Sequence, residues 1–151
     1  MSEQPPKERV VGQSLVGIVH SPYSEPEFIV EGIGPASFRS HYLTLGNGLV
    51  LDLFIAELTV GSLPGEAMPG ETDGIALGEL LGRVVTAVVL DNTASVLLVL
   101  DNIFLKDAND GIYGNPLLAG RLAENYTEAE QASFVDYWTG QPVSLEANAD
   151  A

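Results

Sequence analysis

Apolar and polar positions alternate most cleanly around Gly46-Asn47-Gly48, where Tyr42-Leu43-Thr44-Leu45 precedes the turn and Leu49 to Leu58 follows it. Two such runs about a glycine–asparagine turn predict a β-hairpin, because these residues accept the positive φ that tight hairpin turns need. In the second arm Leu49, Leu51, Leu53 and Ile55 fall on one face and Val50, Asp52, Phe54 and Ala56 on the other. The odd set is assigned to the core and the even set to a partly exposed face. At Glu57-Leu58 the alternation slips, which predicts a bulge or the end of pairing.

Upstream, Val10 to His20 reads as a strand that stops at Ser21-Pro22, and Phe28, Val30 and Ile33 as another that ends at Gly34-Pro35. Downstream, the stretch from Gly74 to Leu105 supports two readings. Leu77, Leu80, Leu81, Val84, Val85 and Val88 fit a helical face, with Glu79 and Arg83 at i, i+4. Against a helix stand Gly78 and Gly82 and the β-branched cluster Val84-Val85-Thr86 with Val88-Val89. Strands over about 83–90 and 95–101 are the preferred reading. Leu90-Asp91-Asn92 and its echo Leu100-Asp101-Asn102 then mark two strand ends. Because their apolar residues run on without alternating, these strands are expected to be buried on both faces, under a helix or a second copy of the chain.

The last third predicts the helix. Thr127-Glu128-Ala129-Glu130 is a capping-box signature, Phe134, Val135 and Trp138 share one helical face, and Gly140 and Pro142 provide a stop. A shorter helix is expected from Asn115-Pro116 through Leu118 and Leu122. The fold class is therefore α+β and β-rich: an antiparallel meander of roughly six strands with a C-terminal helix over about 127–139 packed on one face. One globular domain spans 10–143, between a flexible N-terminal arm (1–9) and a flexible acidic tail (144–151). The segment Ser62 to Asp73, with Pro64-Gly65 and Pro69-Gly70, is longer than an ordinary connection and reads as a mobile or functional loop.

Charge narrows the function classes. The 151 residues carry 21 acidic side chains against 6 basic ones, a net −15. Nucleic-acid and anionic-membrane binding rest on clustered Lys and Arg; here the bases are scattered, and none lies between Ser40 and Gly82. No apolar run is long enough for a membrane helix. The N-terminus has no signal-peptide h-region, and a cytoplasmic location is expected. The absence of cysteine removes disulfides, thiolate metal sites and cysteine nucleophiles.

Candidate chemistry is sparse. The two histidines, His20 and His41, are the candidate groups for a ligand or enzymatic pocket, with Glu25, Glu31 or Asp52 as potential carboxylate partners. No Gly-x-Ser-x-Gly elbow, dinucleotide fingerprint or P-loop is present. Asp107-Ala108-Asn109-Asp110-Gly111 fails as an EF-hand, since glycine falls at the fifth position and Leu118 at the twelfth. No metal and no cofactor are expected, and an enzyme is the less favoured class. The leading expectation is a non-enzymatic interaction protein that self-associates through the apolar strands between Val84 and Leu105. The alternatives are an inhibitor or immunity-type protein, or a nucleic-acid mimic, that binds a basic partner through Glu66, Glu71 and Asp73, and a small-molecule or enzymatic pocket at His20 or His41.

Overall fold

The computed structural model describes residues 4–21, 28–30, 34–36, 40–54, 56–63, 65–108 and 116–143. In chain order the elements are β1 (Leu15–His20), β2 (Phe28–Val30), β3 (Gly34–Ala36), β4 (His41–Leu45), β5 (Val50–Phe54), β6 (Glu57–Val60), β7 (Met68–Pro69), β8 (Asp73–Gly74), α1 (Leu77–Leu80), β9 (Ala87–Leu90), β10 (Val96–Leu100), β11 (Ile103–Asp107), β12 (Leu117–Arg121), α2 (Leu122–Asn125), α3 (Glu128–Ala132) and β13 (Val135–Asp136). They form a five-stranded sheet ordered β6-β5-β4-β1-β7, a six-stranded sheet ordered β13-β9-β10-β11-β12-β8, and the pair β2-β3. The chain is thus β-rich with few and short helices. Two mostly antiparallel sheets replace the expected single meander.

The Gly46-Asn47-Gly48 hairpin forms between β4 and β5, with Asn47 Oδ1 accepting from the Leu49 amide. Leu49, Leu51 and Leu53 are buried as their odd spacing requires, and Phe54 is exposed. At Glu57-Leu58 the chain has already reversed: Phe54 pairs with Glu57 and Leu53 with Leu58, so the slip in alternation marks a second hairpin. The echoed Asp-Asn pairs also sit at strand ends. Asp91 opens the turn from β9 to β10, and Asp101-Asn102 forms the two-residue turn between Leu100 and Ile103.

The two large sheets pack face to face. Leu15 and Ile18 of β1, Leu43 and Leu45 of β4, Leu51 and Leu53 of β5 and Leu58 of β6 share one core with Val88, Val96, Leu98, Leu100, Ile103, Leu105, Leu117 and Ala119 of the other sheet. The six-stranded sheet is apolar on its second face as well. There Val89, Leu97, Val99 and Phe104 meet Leu122 and Phe134, with Tyr126 and Val143 packed alongside. Every residue of β10 is buried. The apolar strands expected to need a helix or a second copy as cover are covered by this chain's own residues 122–143.

That cover differs from the expected helix. The capping box at Thr127 is present in full, with Glu130 N donating to Thr127 Oγ1 and Thr127 N to Glu130 Oε1. The helix nevertheless ends at Ala132. Val135 and Asp136 then pair with Leu90 and Val89, extending the sheet by a short edge strand. Sheet pairing, together with a turn in which Asp136 Oδ2 accepts from the Trp138 and Thr139 amides, displaces the helical continuation. The short helix expected after Pro116 is also corrected, since Leu117–Arg121 is a strand paired with β11 and helix begins only at Leu122.

Two lacings join the sheets. Residues 12–15 bond to 82–85, through Gly12 N to Val85 O, Val85 N to Gln13 O, Leu15 N to Arg83 O and Gly82 N to Leu15 O. The second lacing is the chain itself: β7 pairs with β1 in one sheet, and a few residues later β8 pairs with β12 in the other. At the N-terminal end, Trp138 Nε1 donates to Pro5 O at 2.7 Å and Lys7 Nζ lies 3.0 Å from Asp136 Oδ1. No helix among the described residues is long and apolar enough to cross a membrane.

Leu98 faces the shared core from the middle of the fully buried strand. Leu98→Ala is expected to lower unfolding free energy by about 3 kcal/mol, through lost transfer energy and the cavity left behind. Val16→Ala, at a side chain 50% exposed, is expected to cost about 0.5 kcal/mol or less. Urea denaturation of both variants checks the contrast.

Candidate functional site

His20 closes β1 and His41 opens β4, and the antiparallel register sets them directly opposite each other. Each obeys the alternation of its strand. His41 is in phase with Leu43 and Leu45, and His20 with Ile18, so both imidazoles point inward and are fully buried. The rings meet edge to face with centroids 4.7 Å apart, and the two Nδ1 atoms are 3.0 Å apart. On the far side of His20, Nε2 lies 2.8 Å from the Glu71 amide nitrogen and 3.0 Å from its carbonyl oxygen.

The Glu71 N–H is set by the backbone and points at His20 Nε2, and the Glu71 carbonyl oxygen lies beside the same nitrogen. The two imidazoles bond to each other through their Nδ1 atoms. His41, His20 and the Glu71 backbone thus form one hydrogen-bonded relay.

The segment held by this relay is the crossing between sheets. Gly70 is required where it stands, because a Cβ there would collide with the Ile18 carbonyl. Gly74, at φ +102°, would present a Cβ to the Ala119 carbonyl oxygen. Thr72 Oγ1 donates to Ile75 O, and Ile75 N to Ala119 O. The described part of the long loop is therefore clamped where it changes sheets. Of the three expected docking acids, Glu71 and Asp73 are exposed and line one groove of about 140 Å³ with Thr72, Pro116 and Leu117. Glu66 is exposed ahead of β7 and does not line that groove.

Glu25 and Glu31, named as partners for the histidines, lie outside the described residues, as do Asn109 and Asp110 of the failed calcium loop. Asp107 ends β11 and is buried. Asp52 is on the even, outer face of β5, opposite Tyr42 and Thr59, and away from the imidazoles. Its Oδ1 is buried without a hydrogen-bond partner, and burial pushes its carboxyl above the ordinary value. Among the described residues, no group of three His, Cys, Asp or Glu side chains converges to hold a metal.

Two further buried carboxylates, Asp91 and Asp136, lie outside the expected site residues. Asp91 Oδ1 accepts from Thr93 N, Thr93 Oγ1 and Ser95 N, while Oδ2 accepts from Tyr126 Oη at 2.8 Å and lies 3.6 Å from Lys106 Nζ. Burial raises the Asp91 carboxyl, but the hydrogen bonds from Ser95, Thr93 and Tyr126 outweigh it and hold it below its usual range. Burial and the adjacent Asp91 carboxylate push the Tyr126 phenol up. Asp136 is lowered in the same way, with burial opposed by Lys7 and Thr139. An Asp followed two residues later by Thr at a strand end is the sequence trace of such a turn. These groups tie together the turns that hold the cover over β10.

A depressed carboxylate contributes stability above its unfolded pKa of about 3.9, and that contribution is lost as pH falls through the lower folded value. Tyr126→Phe is expected to cost about 2 kcal/mol at neutral pH by removing one hydrogen bond to a buried carboxylate. Asp91→Asn is expected to flatten the loss of stability below pH about 4. Thermal melts of both variants across that range check these outcomes; an unchanged pH profile for Asp91→Asn contradicts the assignment.

The chain matches no protein-family model, no curated protein and no solved structure, so its function is argued from its own residues.

Proposed function

We propose that the protein is a non-enzymatic interaction module that docks a basic protein partner on an acidic surface. The observation that carries this reading is the division of its polar groups. The imidazoles, which are the acid–base groups an enzyme would draw on, bond to each other and to the Glu71 backbone. Glu71 and Asp73 instead stand exposed along a groove, on backbone clamped between two sheets. Acidic side chains on a rigid segment steer a cationic partner and lose little freedom when it arrives. The absence of any base between Ser40 and Gly82 leaves that attraction unopposed along the sequence. An inhibitor or immunity-type role toward a basic enzyme such as a nuclease, in the cytoplasm, is the concrete form of the proposal. The enzymatic alternative at His20 or His41 requires a ring to leave its present bonds.

Charge reversal tests the face. Glu71→Lys with Asp73→Lys is expected to slow association with poly-lysine by about tenfold at low ionic strength and to reduce the salt dependence of the rate. Glu124→Lys with Glu128→Lys, which changes net charge equally, is the control. Equal slowing by both pairs in stopped-flow measurements contradicts a localised docking face.

Self-association is the second reading, and one observation favours it. Val16, Leu81 and Val84 are 50%, 39% and 45% exposed, on the segments that lace the sheets near Ser14 and Val84. On this reading the contact between copies forms there rather than along the buried strands. Sedimentation equilibrium is expected to find a dimer that Val84→Lys weakens at least about tenfold. A monomer at all concentrations leaves the basic partner as the sole reading.

A further inference from the structure

We propose that the outer edge of β6 is a pairing surface for the β6 of a second copy of the chain, and that the Tyr137 hydroxyl holds it closed. The inference does not depend on which partner the acidic surface takes. It rests on the direction in which the β6 main chain points and on what meets it there.

In an antiparallel ladder, hydrogen-bonded and non-hydrogen-bonded residue pairs alternate. Gly61 N donates to Val50 O, which makes 50 and 61 a bonded pair. By the β5–β6 register, Asp52 with Thr59 and Phe54 with Glu57 are then the next bonded pairs. Leu58 and Val60 fall between them, so their N–H and C=O groups point away from β5 toward the open side. At Leu58 a side chain already fills the place of a neighbouring strand. Leu58 N donates to Tyr137 Oη at 3.0 Å, and Tyr137 Oη donates to Leu58 O at 3.2 Å. Tyr137 is itself anchored on the other sheet, since its amide donates to Val88 O and its ring packs edge to face on Trp138.

A strand edge with open main-chain groups is a template for another chain. The two large sheets end in β6, β7, β8 and β13. β7 and β8 are two residues each, and β7 contains Pro69. At β13, Val135 is met by Pro142, and Asp136 N donates to Gln141 O. β6 has four residues and no proline. A groove of about 390 Å³, lined by Glu57, Leu58, Thr59, Tyr137 and Gln4, runs beside it.

The occupant is a second copy because β6 is complementary to itself. An antiparallel pair centred on Thr59 sets Leu58 of each copy against Val60 of the other, so the outward groups of both residues meet. The same register sets Glu57 against Gly61, which keeps the two glutamates apart. With Tyr137 in place, this pairing breaks two hydrogen bonds in each copy and makes two. The exchange leaves the lost freedom of association uncompensated. Without the hydroxyl, the bonds are made and none is broken.

Sedimentation equilibrium of the full chain, at high salt so that the net charge is screened, tests the closed edge. Tyr137→Phe, which keeps the ring, is expected to self-associate at least about tenfold more tightly than the unaltered chain. Tyr137→Ala, which also clears the ring, is expected to do so further; if it does not fold, Tyr137→Phe decides. Adding Val60→Pro, which removes an outward N–H and leaves the β5 ladder intact, is expected to return Tyr137→Phe to the unaltered level. Tyr126→Phe, the loss of a hydroxyl away from this edge, is expected to change nothing. Adding Val84→Lys to Tyr137→Phe is expected to leave the new association in place, which separates it from a contact near Ser14 and Val84. In the unaltered chain, hydrogen exchange is expected to be at least about tenfold slower at the Leu58 amide than at the Val60 amide. Folded Tyr137→Phe that associates no more than the unaltered chain, association that survives Val60→Pro or is lost with Val84→Lys, equal association of Tyr126→Phe, or equal exchange at Leu58 and Val60 overturns the proposal.

Discussion

Five consecutive buried residues in β10 impose the constraint from which the rest of the architecture follows. Successive side chains of a strand point to opposite faces, so Val96, Leu98 and Leu100 enter one core while Leu97 and Val99 enter another. A sheet apolar on both faces needs two covers. The five-stranded sheet is the first, and residues 122–143 are the second. Phe134 stacks edge to face on Tyr126, which does the same on Phe104, so aromatic rings seal the outer face. A longer helix over the same residues would forgo the pairing of Val135 and Asp136 with β9.

Polar groups drawn inside by this arrangement are satisfied mostly by nearby backbone. Asp91 folds its own turn around one carboxylate oxygen and uses the other to hold Tyr126. Asp136 does likewise at the end of the cover and adds Lys7. His20 and His41 satisfy each other and fasten the crossing. Among the described residues Asp52 is the exception, with one oxygen buried and unpartnered. A buried polar atom without a bond costs roughly 1–3 kcal/mol, and the same burial raises the Asp52 carboxyl above its ordinary value.

Much of this was legible locally. The turn at Asn47, the inward face of Leu49, Leu51 and Leu53, the two-sided burial of β10 and the cap at Thr127 all come from patterns within about ten residues. The inward histidines were legible by the same rule, since His41, Leu43 and Leu45 alternate in phase; reading the imidazoles for chemistry obscured that simpler signal. What could not be read is non-local. Phe134, Val135 and Trp138 are spaced for a helix, and only the free edge of β9 turns that segment into a strand. Pro69-Gly70 reads as a turn whether or not β1 is there to receive it. Glu71 and Asp73 could be recognised as acidic and exposed, but not as fixed between two sheets.

Pro5 is held by Trp138, and Lys7 by Asp136. These contacts join residues separated by 133 and 129 positions in the chain. During vectorial synthesis the early segment therefore emerges long before its receptor exists. The outer face of β10 likewise stays bare until the residues through Val143 are made. Fixing contacts of such high sequence separation places folding in the slow range for small domains. The growing chain must also shield apolar strands before their lid arrives. A strong negative charge, which keeps unfinished chains apart, matters most during that interval.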